Sequence, residues 1–551
     1  MASNIRPAPQ TAIKSASNKA AGKTSQTVPG TAFDQLAESV REKIGIKGPV
    51  KGEELAEHLE LVCGEVNRLL RSSFGPKGFD KLIINPVNEI VVTSDGKTIL
   101  EEIDILHPAV TALKNLAKSM DKACGDGTKT AVILAAALIT NGVKLIRHGV
   151  HPNTVVRGYQ LAFYKAYELL EYSSRPAKSY EESYAAVLGA ALGKGMQPGL
   201  AKELTHVVLK VVERLNSLSP EGRLDLNENV KVLKKSGGPE VDYLEGVIMD
   251  ESPARPDMPR AFSGPSILIL NYDLKFKSEY LSPRHDKRAL DLETAYSFRD
   301  KQKEVMRGFA GKIIGSKADV VFCEGDVDPF IEEALAREDI LLFKKLKLKD
   351  LEKLSKATGT QIMAISDELV PERLGRADSL EVKKKCYENF VFIRVRDQPI
   401  TSILVWEPVK YDLGKVEEAV DDALNNAAFL FKNRMIVTGG GGTEFDLAQM
   451  LRLYAFTLAG KEQLAVLEYA NALEEIPKAL ARNAGMNVLD AMNEMAARYS
   501  RGEEARIDLS GKVRADAPFV YDLASIKKLA IISATETACS VLRVDEIRLK
   551  K

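Results

Sequence analysis

Metal-site and redox-site motifs are what this 551-residue sequence most plainly lacks. Its five cysteines, Cys63, Cys124, Cys323, Cys386 and Cys539, are scattered, with no C-x-x-C pair among them. Six isolated histidines add no cluster with metal-ligand spacing. Thiols so placed are expected to be buried and reduced, which fits a cytoplasmic chain. Neither charge sign is in excess, since Lys and Arg number 77 and so do Asp and Glu. That balance argues against a chain dominated by contact with nucleic acid or anionic membrane, without bearing on local patches. No run approaches the ~18 apolar residues of a membrane helix, so the sequence reads as that of a soluble protein. Acid is also missing from the start: no Asp or Glu precedes Asp34, in a segment rich in Ala, Ser, Lys, Pro and Thr. An acid-poor, Ser-rich start can be a transit peptide. However, Pro7, Pro9, Gly22, Pro29 and Gly30 interrupt any long amphipathic helix, and Arg6 is the only arginine there. Residues 1–32 are expected to form a disordered tail.

What is present is the material of several folded domains. Hydrophobic residues make up 45% and charged residues 28% of the chain, as in ordinary globular proteins, and the length implies three or four domains. Leu55, Leu59, Val62, Val66 and Leu69 fall on one helical stripe. The stripe stops at Gly75-Pro76-Lys77-Gly78, which forces a turn. Lys81–Ile84 and Ile90–Thr93 read as a hairpin joined through Asn85-Pro86-Val87-Asn88. Leu113, Leu116, Ala117 and Met120 mark a second amphipathic helix. Gly125-Asp126-Gly127-Thr128 then leads into an almost wholly apolar helix, the kind that lies in the middle of a domain.

In the middle of the chain, short β-rich runs near 266–270, 320–323 and 340–343 alternate with helical runs near 298–314 and 329–336. This is the texture of an α/β domain. A polar stretch, Lys275 to Asp300, separates its first strand from its first long helix. Beyond Val416 long helices return, broken by Gly439-Gly440-Gly441-Gly442. The simplest arrangement is a mostly helical domain split across both ends, with an α/β domain inserted between.

Four turns could carry chemistry. In Gly125–Thr128 the glycines let backbone amides approach a phosphate, the helix N-terminus supplies partial positive charge, and Thr128 offers a hydroxyl. Asp126 could hold Mg²⁺, which favours one or two carboxylates beside phosphate oxygens. The same residues also suit an ordinary N-cap with flexible glycines. Gly75–Gly78, Thr93-Ser94-Asp95-Gly96 and the four-glycine turn are each, taken singly, as compatible with plain loops.

Their order and spacing resemble a known family. Ser73-Phe74-Gly75-Pro76-Lys77-Gly78-Phe79-Asp80-Lys81 is similar to the signature near the start of group II chaperonins, the thermosome and eukaryotic cytosolic chaperonin family. Thr93 to Leu100 resembles their second motif, and Gly125–Thr128 their third, preceded by His107-Pro108-Ala109. Gly193-Lys194-Gly195, Pro256-Asp257-Met258-Pro259, Asn483-Ala484-Gly485 and Ser533-Ala534-Thr535-Glu536 match further on. The likeness runs from about Phe33 to the C-terminus.

The resemblance implies a subunit of a double ring that encloses unfolded proteins and cycles by hydrolysing Mg-ATP, with K⁺ admitted as a further ion. It implies a split equatorial domain at 33–150 and 433–551 and an intermediate domain at 151–246 and 396–432. An apical substrate-binding domain would occupy 247–395, with a lid protrusion near 275–300. Asp126 would ligate Mg²⁺. Gly75, Pro76, Gly125, Gly127, Thr128, Lys129 and Thr130 would surround the phosphates, and Lys194 would sense the γ-phosphate. Asp95 and Asp422 would orient and activate water, as phosphoanhydride hydrolysis needs. Gly440, Gly441, Asn483 and Ala484 would line the nucleoside, and Asp522 would accept from the ribose. Val305, Met306 and Phe309, with Phe298, would partly face clients, though the same stripe suits ordinary core equally well. Three positions depart from the family pattern. Lys129 stands where a small hydroxyl residue is usual, Trp406-Glu407-Pro408 replaces Arg-Gly-Gly, and Asn487 replaces a common Asp. A ring component with weak or no hydrolysis, serving as a scaffold, is the alternative. Retention of Asp95, Asp126 and Asp422 favours hydrolysis.

Overall fold

A computed structural model describes residues 50–84, 90–103, 105, 107–193, 198–218, 225–238, 240–275, 292–364, 369–407, 413–508, 510–516 and 520–547. The expected tail at 1–32, most of the expected lid stretch and Lys194 lie outside the described residues.

One helix organises the helical part. Thr128–Arg147 is buried over most of its length. Helices Gly52–Arg71 and Pro108–Cys124 from the early chain and Glu462–Leu473 and Ala524–Leu542 from the late chain pack around it. By length and composition this helix could cross a membrane, so the apolar run is longer than the sequence reading allowed. Its place at the centre of a shared core explains the composition instead. That core joins Leu59 and Val62 to Ala530 and Ala534. Val50–Lys51 also pairs antiparallel with Glu546–Ile547, so both ends of the described chain meet.

Local signals set the helix limits. Glu53 and Glu54 open the first helix and Arg68 and Arg71 close it, each charge complementing the helix dipole. His107 caps Pro108–Cys124 by accepting from the Ala109 amide at Nδ1, and Pro108 takes the first helical position. The expected hairpin forms, with Lys81 opposite Thr93 and Ile84 opposite Ile90.

The middle of the chain holds two sheets. Leu341–Phe343, Val320–Cys323, Ser266–Leu270 and Ile362–Met363 lie parallel in that order, with Gly375–Arg376 antiparallel on the Ser266–Leu270 strand. Helices Leu292–Gly315, Pro329–Arg337 and Leu348–Thr358 accompany them. This is the expected α/β unit. Its first long helix begins at Leu292 rather than near Phe298, so residues 292–300 of the polar stretch are helical, and 276–291 lie outside the described residues. Met306 is buried in the core of this unit, and Val305 and Phe309 pack against it. The core reading of this stripe thus holds for Met306, while Val305 and Phe309 stay partly exposed.

The second sheet runs Val230–Ser236, Thr401–Glu407, Glu240–Met249, Glu388–Arg394, Ser379–Lys385, Ala261–Ser263. Periodicity alone does not reveal it. Glu240–Met249 changes partner within its length, pairing with Thr401–Trp406 up to Glu245 and with Val391–Arg394 from Gly246. Gly246 makes the change at φ 138°, where a Cβ would lie 2.0 Å from the Ile393 carbonyl oxygen. A small core of Leu244, Ile248, Phe390, Leu404 and Trp406 fills the bend. Trp406, the only tryptophan, donates from Nε1 to Asp242 at 2.9 Å, and Lys385 pairs with the same carboxylate at 2.6 Å.

Four cysteines are buried, as expected, but Cys386 is exposed. It sits with Tyr387 in a two-residue turn at φ 45° and 71°.

Candidate active site

All the candidate residues except the undescribed Lys194 line one cavity in the helical part, with about 1400 Å³ of empty space counting its open mouth. Two helix N-termini face it. Thr128–Arg147 starts at Gly127 and Gly442–Ala455 starts at Gly441, and neither has a side-chain cap. The Gly442 amide donates to the Gly439 carbonyl at 3.0 Å, but no side chain caps either first turn, and both positive dipole ends meet the cavity. Gly441 holds its turn at φ 76°, where a Cβ would lie 2.8 Å from Pro477 Cβ, so a side chain there is excluded twice over.

Asp126 stands in the turn before the first of these helices. Its Oδ1 accepts from the Gly127 amide and its Oδ2 from Asn426 Nδ2 at 2.8 Å. The Cys124 thiol, pushed up to about 11 chiefly by burial, donates to the Asp126 carbonyl at 3.1 Å. Asp95 caps the short helix Gly96–Glu101, accepting from the Thr98 amide at 2.9 Å and its hydroxyl at 3.1 Å. Asp422 is buried on helix Leu413–Asn433, whereas its neighbour Asp421 is exposed. The helical register thus selects Asp422. Asn426, four residues on, is buried on the same face and lines the same cavity.

The other side is built from late segments. Asp522 lies opposite Val437 in the strand pairing of Tyr521–Leu523 with Met435–Thr438, just before the glycine turn. Burial raises its carboxyl above the usual range, and the Lys527 ammonium at 2.9 Å pulls it back. Asn483 lines the cavity but gives its Nδ2 to the carbonyls of Arg71 at 2.6 Å and Phe74 at 2.8 Å. It therefore holds the Gly75–Pro76 turn from behind. Asn487 is absent from the lining; it caps helix Val488–Ser500 through the Leu489 amide. The departure at Asn487 leaves the cavity untouched, because Asn and Asp cap equally well.

Lys129 follows neither course open to a cation at this position, solvent or cavity alone. Its Nζ donates to the Ser73 carbonyl at 2.9 Å, while the side chain lines the cavity. It thereby ties the start of one helix to the turn that ends another.

Sequence reasoning missed Lys77, Asn426, Asp508 and Lys527, all of which line the cavity. Asn426 could have been found from its spacing of four from Asp422. Lys527 gives no such hint, since Lys528 beside it looks the same in sequence.

Five carboxylates (Asp95, Asp126, Asp422, Asp508, Asp522) and three lysines (Lys77, Lys129, Lys527) thus line the cavity. A polyanion entering so acidic a space needs a cation with it. Among the described residues there is no group of three or more His, Cys, Asp or Glu fit to hold a metal alone. That pattern suits Mg²⁺, which takes one or two carboxylates and completes its shell from phosphate and water.

The sequence matches the TCP-1/cpn60 chaperonin family over residues 66–551. The chain belongs to the chaperonin family. It is similar to the thermosome subunit alpha of Methanothermobacter thermautotrophicus, 34% identical over 497 residues covering 89% of this chain and 91% of that protein. A thermosome subunit of Methanocaldococcus jannaschii is 32% identical, covering 89% and 92%. One from Pyrococcus horikoshii is 33% identical, covering 87% and 88%. This chaperonin carries its described candidate residues around one cavity.

Proposed function

We propose that this chaperonin is a subunit of an ATP-driven folding ring and that the cavity is its Mg-ATP site. One observation carries the reading. Two uncapped helix N-termini, one early and one late in the chain, open on the cavity that Asp95, Asp126 and Asp422 also line. Amides of Gly127 and Thr128, with the Gly75–Pro76 turn, would cradle phosphates. Asp126 would hold Mg²⁺, which would spread the negative charge of the triphosphate. Asp422 and Asp95 would orient the attacking water, positioning being most of what phosphoryl transfer asks of a protein. Gly440, Gly441 and Ala484 would contact the nucleoside, Asn483 acting through the turn it holds, and Asp522 would meet the ribose.

In this reading 33–150 and 433–551 form the equatorial domain. The sheet bend at Gly246 is the boundary between an intermediate domain (151–246, 396–432) and an apical one (247–395). Clients would be unfolded proteins, partners would be related subunits in a cytosolic double ring, and the lid would lie near 275–300. The scaffold alternative is not favoured, because a ring without hydrolysis has no need of three carboxylates in its nucleotide cavity. Purified protein with Mg-ATP should hydrolyse it and show double rings by electron microscopy. Binding without turnover would instead support the scaffold, and a monomer that ignores ATP would overturn both readings.

A further inference from the structure

Lys527 is a buried cation shared between two carboxylates from different walls of the cavity. It lies in the first turn of helix Ala524–Leu542. Its Nζ bonds Glu444, near the start of the helix after the glycine turn, and reaches Asp522 Oδ2 at 2.9 Å. The two acids differ sharply in surroundings. The Glu444 side chain is 2% exposed and its Oε2 has no hydrogen-bond partner among the described residues, whereas the Asp522 side chain is 35% exposed and lines the cavity. Glu444 has no access to water and would be an uncompensated buried charge without Lys527. The ammonium is therefore committed to Glu444, and that commitment fixes where its second contact falls. Burial favours the neutral form of Asp522, with Lys527 the chief opposing influence. A neutral carboxyl would turn one acceptor oxygen into a donor.

We propose that Lys527 is a positioning residue that holds Asp522 as a cavity-facing acceptor for sugar hydroxyls, making the site selective for ribonucleotides over 2′-deoxyribonucleotides. The proposal rests on the ATP reading above. A carboxylate fixed by a cation behind it can accept from hydroxyls in front of it. A ligand lacking one hydroxyl leaves that acceptor unmet, which is how polar sites discriminate. Glu444, whose side chain bonds Lys527 and does not line the cavity, then acts at one further remove.

The test measures Kd for Mg-ATP and Mg-2′-deoxy-ATP by titration calorimetry on the full chain, in wild type, Asp522→Asn, Lys527→Gln and the double variant. Wild type should prefer ATP by about tenfold or more, the worth of one hydrogen bond to a charged group. Lys527→Gln and Asp522→Asn should each bring the preference to within a few-fold of one, and the double variant should lose nothing further. If Lys527→Gln weakens both nucleotides equally and keeps the preference, Lys527 is merely structural and the proposal fails. Equal affinities in wild type would also overturn it. A wild type that binds neither nucleotide would overturn the ATP reading itself. Should Lys527→Gln fail to fold, Glu444→Gln/Lys527→Gln removes both buried charges and must show the same loss of preference.

Discussion

The cavity end and the inserted sheets each hold a lysine against an aspartate, and they put the pair to different uses. In the middle of the chain, Asp242 receives Lys385 on one side and Trp406 Nε1 on the other, inside the bend of one sheet. Asp242 lines neither the nucleotide-type cavity nor the shallow one beside Tyr387. At the cavity end, Lys527 meets Asp522 from behind, and the aspartate still faces open space. A carboxylate whose partners all belong to the sheet is architecture; one that lines a cavity is available to a ligand. Connectivity differs as well. The cavity is closed by contacts across most of the chain, such as Arg71 with Glu475 and Asp126 with Asn426, whereas the parallel strands of the inserted unit pair within one continuous stretch of chain, from Ser266 to Met363.

Removing the clasp in the sheets should have the largest effect. Trp406→Ala empties a fully buried site and is expected to cost about 3–5 kcal/mol of stability. Urea unfolding followed by circular dichroism measures it, and the ATP affinity should stay unchanged. A tenfold shift in that affinity would mean that the two regions are not independent.

Acid should separate them next. Burial, and to a smaller degree His58, pulls His107 from 6.5 down to about 4. Its stabilising neutral form is present in both folded and unfolded chains above pH 6.5. Below that pH only the unfolded chain takes up the proton, so stability falls until about pH 4, by roughly 3 kcal/mol at the limit. In the sheets, Asp326 is held below the usual carboxylate range chiefly by Lys275, so its contribution is lost only below about pH 3.8. His107→Asn, which keeps a capping side chain, should flatten the stability profile between pH 6.5 and 4. A wild-type profile already flat there would break the contrast.

Smaller effects belong to the cavity. Asp126→Ala should weaken Mg-ATP binding roughly 10–100-fold, as befits a lost contact to a charged group, with no change in unfolding of the sheets. Lys129→Thr should do least. Its ammonium is already engaged by the Ser73 carbonyl, so ADP affinity should change by less than about tenfold, the equivalent of ~1.4 kcal/mol. A larger loss by calorimetry would show that Lys129 swings to a phosphate.

The helical part was the more legible in sequence. Its stripes, the hairpin and the phosphate-type turn all appear where periodicity and glycine place them, because each is set by local rules. The register of Asp421 and Asp422 was not legible; only packing decides which of two adjacent acids turns inward. The second sheet escaped notice for two reasons. Thr401–Glu407 is buried throughout, so it shows no alternation. The turn at Cys386–Tyr387 takes positive φ without the Asn-Gly or Asp-Gly that usually announces it. Met306 was ambiguous for a different reason, since an apolar stripe looks the same whether it meets a core or a client. Lys527 was invisible because a buried ion pair joining residues 83 apart leaves no motif.

The account turns on Asp422 acting on water and not on nucleotide. Calorimetric Kd for Mg-ATP and the single-turnover rate of hydrolysis should be measured on the same preparation of Asp422→Ala. The predicted result is a Kd within a few-fold of wild type and a hydrolysis rate reduced by about 10²-fold or more. Lost binding, or unchanged hydrolysis, would contradict the site as assigned.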